Sequence, residues 1–118
     1  MYCEPLDDGT VNVSVTRGDT LRLRVDLTGT ADAPVDVTGW SWLAQVRAAP
    51  DQMPLIVIDV LVVDAPTGVL ELSIDDEVTA GMQPADYVWD LQATDQADDV
   101  RTVLDGGLRI RADVSVAP

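Results

Sequence analysis

The sequence predicts an all-β fold, an Ig-like antiparallel β-sandwich of about seven to nine strands with one short helical turn. Three features predict it. Apolar and polar residues alternate in short runs, as in Leu21-Arg22-Leu23-Arg24-Val25-Asp26-Leu27, where side chains must point in turn to a dry and a wet face. Turn-forming residues punctuate these runs at intervals of about 8 to 12 residues, the spacing of a sandwich or barrel. Finally, a short helical turn followed by Ala85-Asp86-Tyr87 and Trp89 has the order of the E–F corner of Ig-like domains, where a buried tyrosine hydroxyl caps a crossing loop.

Val11, Val13 and Val15 alternate with Asn12, Ser14 and Thr16 and make the first strand. Arg17-Gly18-Asp19 matches an integrin-binding tripeptide, but Gly18 and Asp19 more simply build the turn before the second strand. There Leu21, Leu23, Val25 and Leu27 share one face, and Arg22, Arg24, Asp26 and Thr28 the other. After a turn-rich segment at 28–34, a third strand runs from Trp40 to Arg47. Trp40, Trp42, Ala44 and Val46 face one way, and Ser41, Leu43, Gln45 and Arg47 the other. Pro50 helps to end it, because proline has no ladder donor.

Leu55–Val63 is apolar on both faces except at Asp59. It is either a central strand covered on both sides or a strand covered by a neighbouring subunit. Pro66-Thr67-Gly68 turns into a strand with Leu70, Leu72 and Ile74 inward, opposite Glu71 and Ser73. Residues 75–82 break the alternation; acids at the start and Gly81 near the end suit one helical turn. Tyr87, Trp89, Leu91 and Ala93 form the next inward set. A loop at 94–99 leads to a strand from Val100 to Leu104, and Gly106-Gly107 reads as a turn into a last strand with Leu108, Ile110, Ala112, Val114 and Val116. The dry face should hold Leu23, Val25, Trp42, Ala44, Val46, Leu70, Leu72, Tyr87, Trp89, Leu91, Ile110 and Val114.

A chain of 118 residues supports one core, read here as a single sandwich domain over residues 11–118 behind an N-terminal arm at 1–10. No apolar run approaches the ~20 residues that span a bilayer, and the N-terminus carries no basic segment, apolar stretch or cleavage site, so no signal peptide is expected. Cys3 is the only cysteine, which rules out an internal disulfide. Twenty-one acidic residues, eighteen of them Asp, face seven basic ones, all Arg, for a net charge of −14. A field of that sign repels phosphate backbones, so neither nucleic acid nor an anionic membrane is an expected partner.

No catalytic set emerges, and no enzymatic activity, cofactor or metal is expected. The chain has no histidine, and Ser14, Ser41, Ser73 and Ser115 stand at outward strand positions rather than in a nucleophile elbow. With so many acids, some carboxylate pair falls at any spacing a hydrolase would need. Two loop clusters, Asp75-Asp76-Glu77 and Asp95 with Asp98 and Asp99, have the oxygen ligands calcium prefers. Val78 and Ala97 interrupt the ligand positions, so these acids read as solvated loop residues. A small-molecule or glycan site would present exposed aromatics, yet Trp40, Trp42, Trp89 and Tyr87 are all expected in the core or at corners.

Several segments, taken in order, resemble the N-terminal domain of the phage baseplate upper protein and related small Ig-like modules of phage virions. They are Arg17-Gly18-Asp19-Thr20 with its alternating strand, Val35-Asp36-Val37-Thr38-Gly39-Trp40, Gln45-Val46-Arg47 and Gly68 through Ile74. Ala85 through Gln92, Val103 through Leu108 and Asp113-Val114-Ser115-Val116 complete the series, so the resemblance covers roughly residues 11–116. It implies a non-enzymatic structural component of a tailed bacteriophage particle, made in the host cytoplasm and located in the virion, most readily in the tail or baseplate. It implies other virion proteins and copies of itself as partners. A very acidic sandwich that stops after its final strand also suits a capsid decoration protein. A carbohydrate or host-surface binding module is the alternative of another class.

The interface residues expected from the pattern are Leu55, Val57 and Leu61, on the doubly apolar strand, together with Arg22 and Arg24. The arginine stripe is placed beside Arg109, Arg111 and Asp113 of a neighbouring strand, where ion pairs or contact with an acidic second copy are expected. The arm at residues 1–9 is the other expected partner of the apolar strand.

Overall fold

A computed structural model describes residues 10–28 and 33–112. Seven strands and one helical turn follow in order: β1 (Val13–Thr16), β2 (Leu21–Asp26), β3 (Ser41–Arg47), β4 (Pro54–Asp64), β5 (Val69–Ile74), α1 (Asp76–Ala80), β6 (Ala85–Thr94) and β7 (Val100–Arg111). They form one sheet in the order β1-β7-β6-β3-β4-β5-β2, bent into two facing layers. All pairings are antiparallel except β1 with β7, which is parallel. The fold is thus the all-β, Ig-like sandwich with one helical turn that the alternation predicts.

The two layers share β4. Its first half pairs with β3, Ala44 opposite Ile58 and Val46 opposite Ile56. Its second half pairs with β5, Val60 opposite Leu72 and Leu61 opposite Glu71. The sheet edges β1 and β2 are consecutive in the chain, so the turn at 17–20 spans the seam between the layers.

Period-two alternation fills the space between them. Leu104, Leu91, Ala44 and Ile58 make one inward row across four strands, and Leu23, Leu72 and Val60 make another on the opposite layer. All of these are buried except Val60, which is half-buried. Of the expected dry-face residues, Trp42 and Tyr87 are partly exposed, Val114 lies outside the described residues, and the rest are buried.

The E–F corner forms its expected hydrogen bond, although Tyr87 is partly exposed rather than buried. The Tyr87 hydroxyl donates to the Gln83 carbonyl at 2.7 Å, four residues upstream, and so fixes the loop that delivers β6. Two residues on, the buried Trp89 indole donates to the Val11 carbonyl at 2.9 Å.

The strand after the 94–99 loop corrects the sequence reading. Gly106 and Gly107 do not turn the chain; they lie inside β7, which runs unbroken from Val100 to Arg111. Gly106 sits opposite the inward Trp89, and a Cβ there would lie 1.9 Å from the Val11 carbonyl oxygen. The N-terminal segment passes through the space where a side chain would be, and Val11 N–H also donates to the Asp105 carbonyl at 2.7 Å. Glycine is required here by close approach of two backbones, as in other strand interiors where chains cross.

The turn at 17–20 is fastened from the other side. Gly18 has φ +90, as the third residue of a turn closed by Asp19 N–H to the Thr16 carbonyl. Thr79 of α1, the one buried polar residue among those described, accepts from Gly18 N–H at 3.1 Å and donates to the Asp19 carbonyl at 2.7 Å. Arg17 Nε donates to the Ala80 carbonyl at 2.8 Å. The Arg-Gly-Asp tripeptide is therefore a structural turn docked on the helical turn.

Four substitutions test this account. Gly106→Ala should lower stability by about 1–3 kcal/mol, the usual range for overpacking. Gly107→Ala, whose Cβ would come no nearer than 3.3 Å to another atom, should cost clearly less. Thr79→Val keeps the shape but leaves the Gly18 N–H and Asp19 carbonyl unpaired, and should cost about 1–3 kcal/mol, with Thr79→Ser recovering most of it. Urea-denaturation midpoints measure all four.

Candidate interaction surface

The pairing that completes the core also decides what β4 shows to solvent. Ile56, Ile58 and Val60 point inward, so Leu55, Val57, Asp59, Leu61 and Val63 must point out. Leu55 is 56% exposed, Val57 61%, Leu61 60% and Val63 57%, and Met53 just ahead of the strand is 82% exposed. The strand is interior to the sheet, but it is not covered on both sides: among the described residues only its inner face is covered. Single exposed apolar residues need no explanation; four along one strand, interrupted only by Asp59, mark a contact surface. Covering each half-exposed side chain would contribute about 1 kcal/mol.

On the β3 side this line adjoins a concavity of mixed apolar and charged lining. Register places Val57, Gln45, Asp90 and Asp105 in one row across β4, β3, β6 and β7, all on the outer face. At about 4.8 Å per strand step, the row is roughly 14 Å long. Above it lies a cleft of about 410 Å³ lined by Arg47, Val88, Asp90, Thr102 and Asp105 among others. Burial pushes the Asp90 carboxyl above its ordinary value; Arg47 opposes the shift and the Asp105 charge adds to it. Arg47 donates to Gln45 Oε1 at 2.9 Å, while its Nε is buried without a protein partner.

On the β5 side the apolar line meets the arginines. Leu61, Glu71 and Arg24 form one outward row, and Asp59, Ser73 and Arg22 the next. The structure thus brings Leu61, Arg22 and Arg24 onto one layer, with Leu55 and Val57 further along β4 on the other. Arg24 is engaged within its own strand, its Nε 3.0 Å from Asp26 Oδ1.

The expected pairing of this stripe with Arg109 and Arg111 does not form. β2 neighbours β5, whereas β7 lies between β1 and β6. Arg109 instead pairs with Asp86 at 2.7 Å, and that contact holds the Asp86 carboxyl below its ordinary value. Asp113 and residues 1–9 lie outside the described residues.

The loop acids serve the backbone. Asp95 Oδ1 accepts from the N–H groups of Ala97 at 2.9 Å and Asp99 at 3.1 Å, and Oδ2 accepts from Arg101 at 2.8 Å. The Asp99 N–H is the largest cause holding this carboxyl below its usual range. Among the described residues, no group of three or more Asp, Glu, Cys or His side chains is arranged to hold a metal ion. The aromatic residues also have structural work: Trp40 and Trp42 pack together at 5.8 Å, with Arg101 over the Trp40 ring. No described helix is long and apolar enough to cross a membrane.

Sequence reasoning found the apolar side chains of this surface but missed Gln45, Asp90 and Asp105 as its continuation. Alternation alone marks each as outward; only the register between strands aligns them with Val57.

No protein-family model and no curated protein matches the sequence. Among solved structures, the chain is similar to the N-terminal domain of phage TP901-1 ORF48, with a TM-score of 0.58 and 11% identity over 95% of this chain and 94% of that one. Murine CRIg aligns at a TM-score of 0.42 with 13% identity, over 86% of this chain and 92% of that one. A family 123 glycoside hydrolase from Clostridium perfringens aligns at 0.43 with 13% identity, over 92% of this chain but 24% of the enzyme. The protein therefore has the fold of the N-terminal domain of ORF48, over nearly the whole of both chains.

Proposed function

We propose that this protein is a non-enzymatic structural component of a tailed bacteriophage particle, associated with the tail or baseplate. The observation that carries the reading is the fold shared with the N-terminal domain of phage TP901-1 ORF48, matched over nearly the full length of each. The exposed apolar line of β4 supports it, since a building block needs a face that assembly can cover. Its partners on this reading are other virion proteins and further copies of itself, with no nucleic acid, membrane or cofactor involved. The absence of histidine from the sequence and the engagement of Asp86 and Asp95 with arginines favour a non-catalytic role.

A second location, decoration of the outer head surface, is favoured by the net charge of −14, which keeps densely displayed copies soluble and apart. A glycan-binding role is disfavoured, because Trp89 is buried and hydrogen-bonded, Tyr87 caps the corner, and Trp40 and Trp42 pack against the core. Mass spectrometry of purified particles, followed by labelled-antibody imaging, tests the proposal. The protein should be found in particles with label at the tail. Label confined to the head would transfer the role to decoration, and absence from particles would overturn both.

A further inference from the structure

We propose that the outer face of β4 is the contact between two copies of this chain, packed face to face with their β4 strands antiparallel about a two-fold axis at Asp59. Leu55 then meets the partner's Val63, and Val57 meets the partner's Leu61. This names a self-contact for the structural-component reading and rests on that reading only for where the pair is used.

Three observations point to a second copy as the occupant. First, the exposed line is its own reverse. From either end, the outward residues of β4 run apolar, apolar, acidic, apolar, apolar: Leu55, Val57, Asp59, Leu61 and Val63. A two-fold contact sets a patch against itself, so it needs a pattern that survives reversal, a condition no foreign partner imposes. Second, the area suffices. Met53 is 82% exposed and the four apolar residues of the line 56–61%, so two copies would bury about 1,200 Å² between them, the lower bound for a specific interface.

Third, the like charges brought together at the axis have counter-charges beside them. Asp59, Ser73 and Arg22 form one outward row, and the serine between the two charges is small. The Arg22 guanidinium has no ion-pair partner among the described residues, so each copy brings one spare cation to the two facing aspartates. Asp90, Asp105, Arg109 and Arg111 stand on β6 and β7, two and three strands away, and the contact does not depend on them. At longer range the net charge of −14 on each copy opposes association until salt screens it. The pair is therefore weak in dilute solution and forms where copies are concentrated, as in a particle.

Sedimentation of the full-length protein tests the contact. It should be monomeric at about 10 µM and largely dimeric at about 1 mM in about 0.5 M NaCl, as suits a small interface. Lowering the salt to about 0.05 M should weaken association about fivefold or more, the reverse of a contact held by opposite charges. Val57→Asp and Leu61→Asp should each weaken it about tenfold or more, with urea midpoints verifying that both variants fold. Arg22→Gln should weaken it about fivefold, while Arg109→Gln, the same change in net charge, should alter it less than about twofold. The register is read by crosslinking in a Cys3→Ser background, which removes the only native cysteine. A short bismaleimide should join Leu55→Cys to Val63→Cys in a mixture of the two variants, and Asp59→Cys to itself, since facing sheets lie about 10 Å apart.

No dimer at the highest concentration, whatever else covers β4, would overturn the inference. So would a dimer indifferent to Val57→Asp, growth beyond dimers, or Leu55→Cys linking to itself as readily as to Val63→Cys. Absence of the protein from phage particles would instead refute the structural-component reading and leave the dimer standing.

Discussion

Everything in this molecule depends on β4 belonging to both layers. Because its first half hydrogen-bonds to β3 and its second half to β5, the two layers are one bent sheet rather than two separate ones. Ile56, Ile58 and Val60 then complete the core from the bend. Strand geometry allows no choice about the rest: with alternate side chains committed inward, the other apolar residues must face out. The fold therefore creates its exposed surface through the same contacts that stabilise it.

The remaining closure is carried by a few specific contacts near the N-terminus. Gly106 gives Val11 room to pass, Trp89 and the Asp105 carbonyl hold it there, and Thr79 ties the β1–β2 turn to α1. The Val11 contacts extend the pairing of β1 with β7, while the Thr79 bonds hold the turn across the seam between edges β1 and β2, where the described residues form no ladder. A sandwich of this size has little stability to spare, so a handful of hydrogen bonds here weighs heavily.

Much of the fold was legible in the sequence. The inward and outward sets of β2, β3, β5 and β6 follow from alternation, and Tyr87 occupies the corner its position announces. Gly106-Gly107 misled because two glycines read locally as a turn, while their cause is a chain more than ninety residues away. The pairing proposed for Arg22 and Arg24 failed for a related reason: alternation gives the face of a residue, and only long-range register gives its neighbour. The surface was half legible on the same grounds. Leu55, Val57 and Leu61 stand out as apolar residues with no inward place, whereas Asp90 and Asp105 look like any other acids in a chain with twenty-one.

The central claim is that the outer face of β4 is covered in the assembled particle. Hydroxyl-radical footprinting of the free protein and of intact particles tests it most directly, reading side-chain oxidation at Met53, Leu55, Val57 and Leu61. The account predicts that these residues label readily in the free protein and are several-fold protected in particles, while Arg109 on β7, beside the β1 edge, is not. Equal labelling along β4 in the two states, with protection appearing on another face, would contradict it.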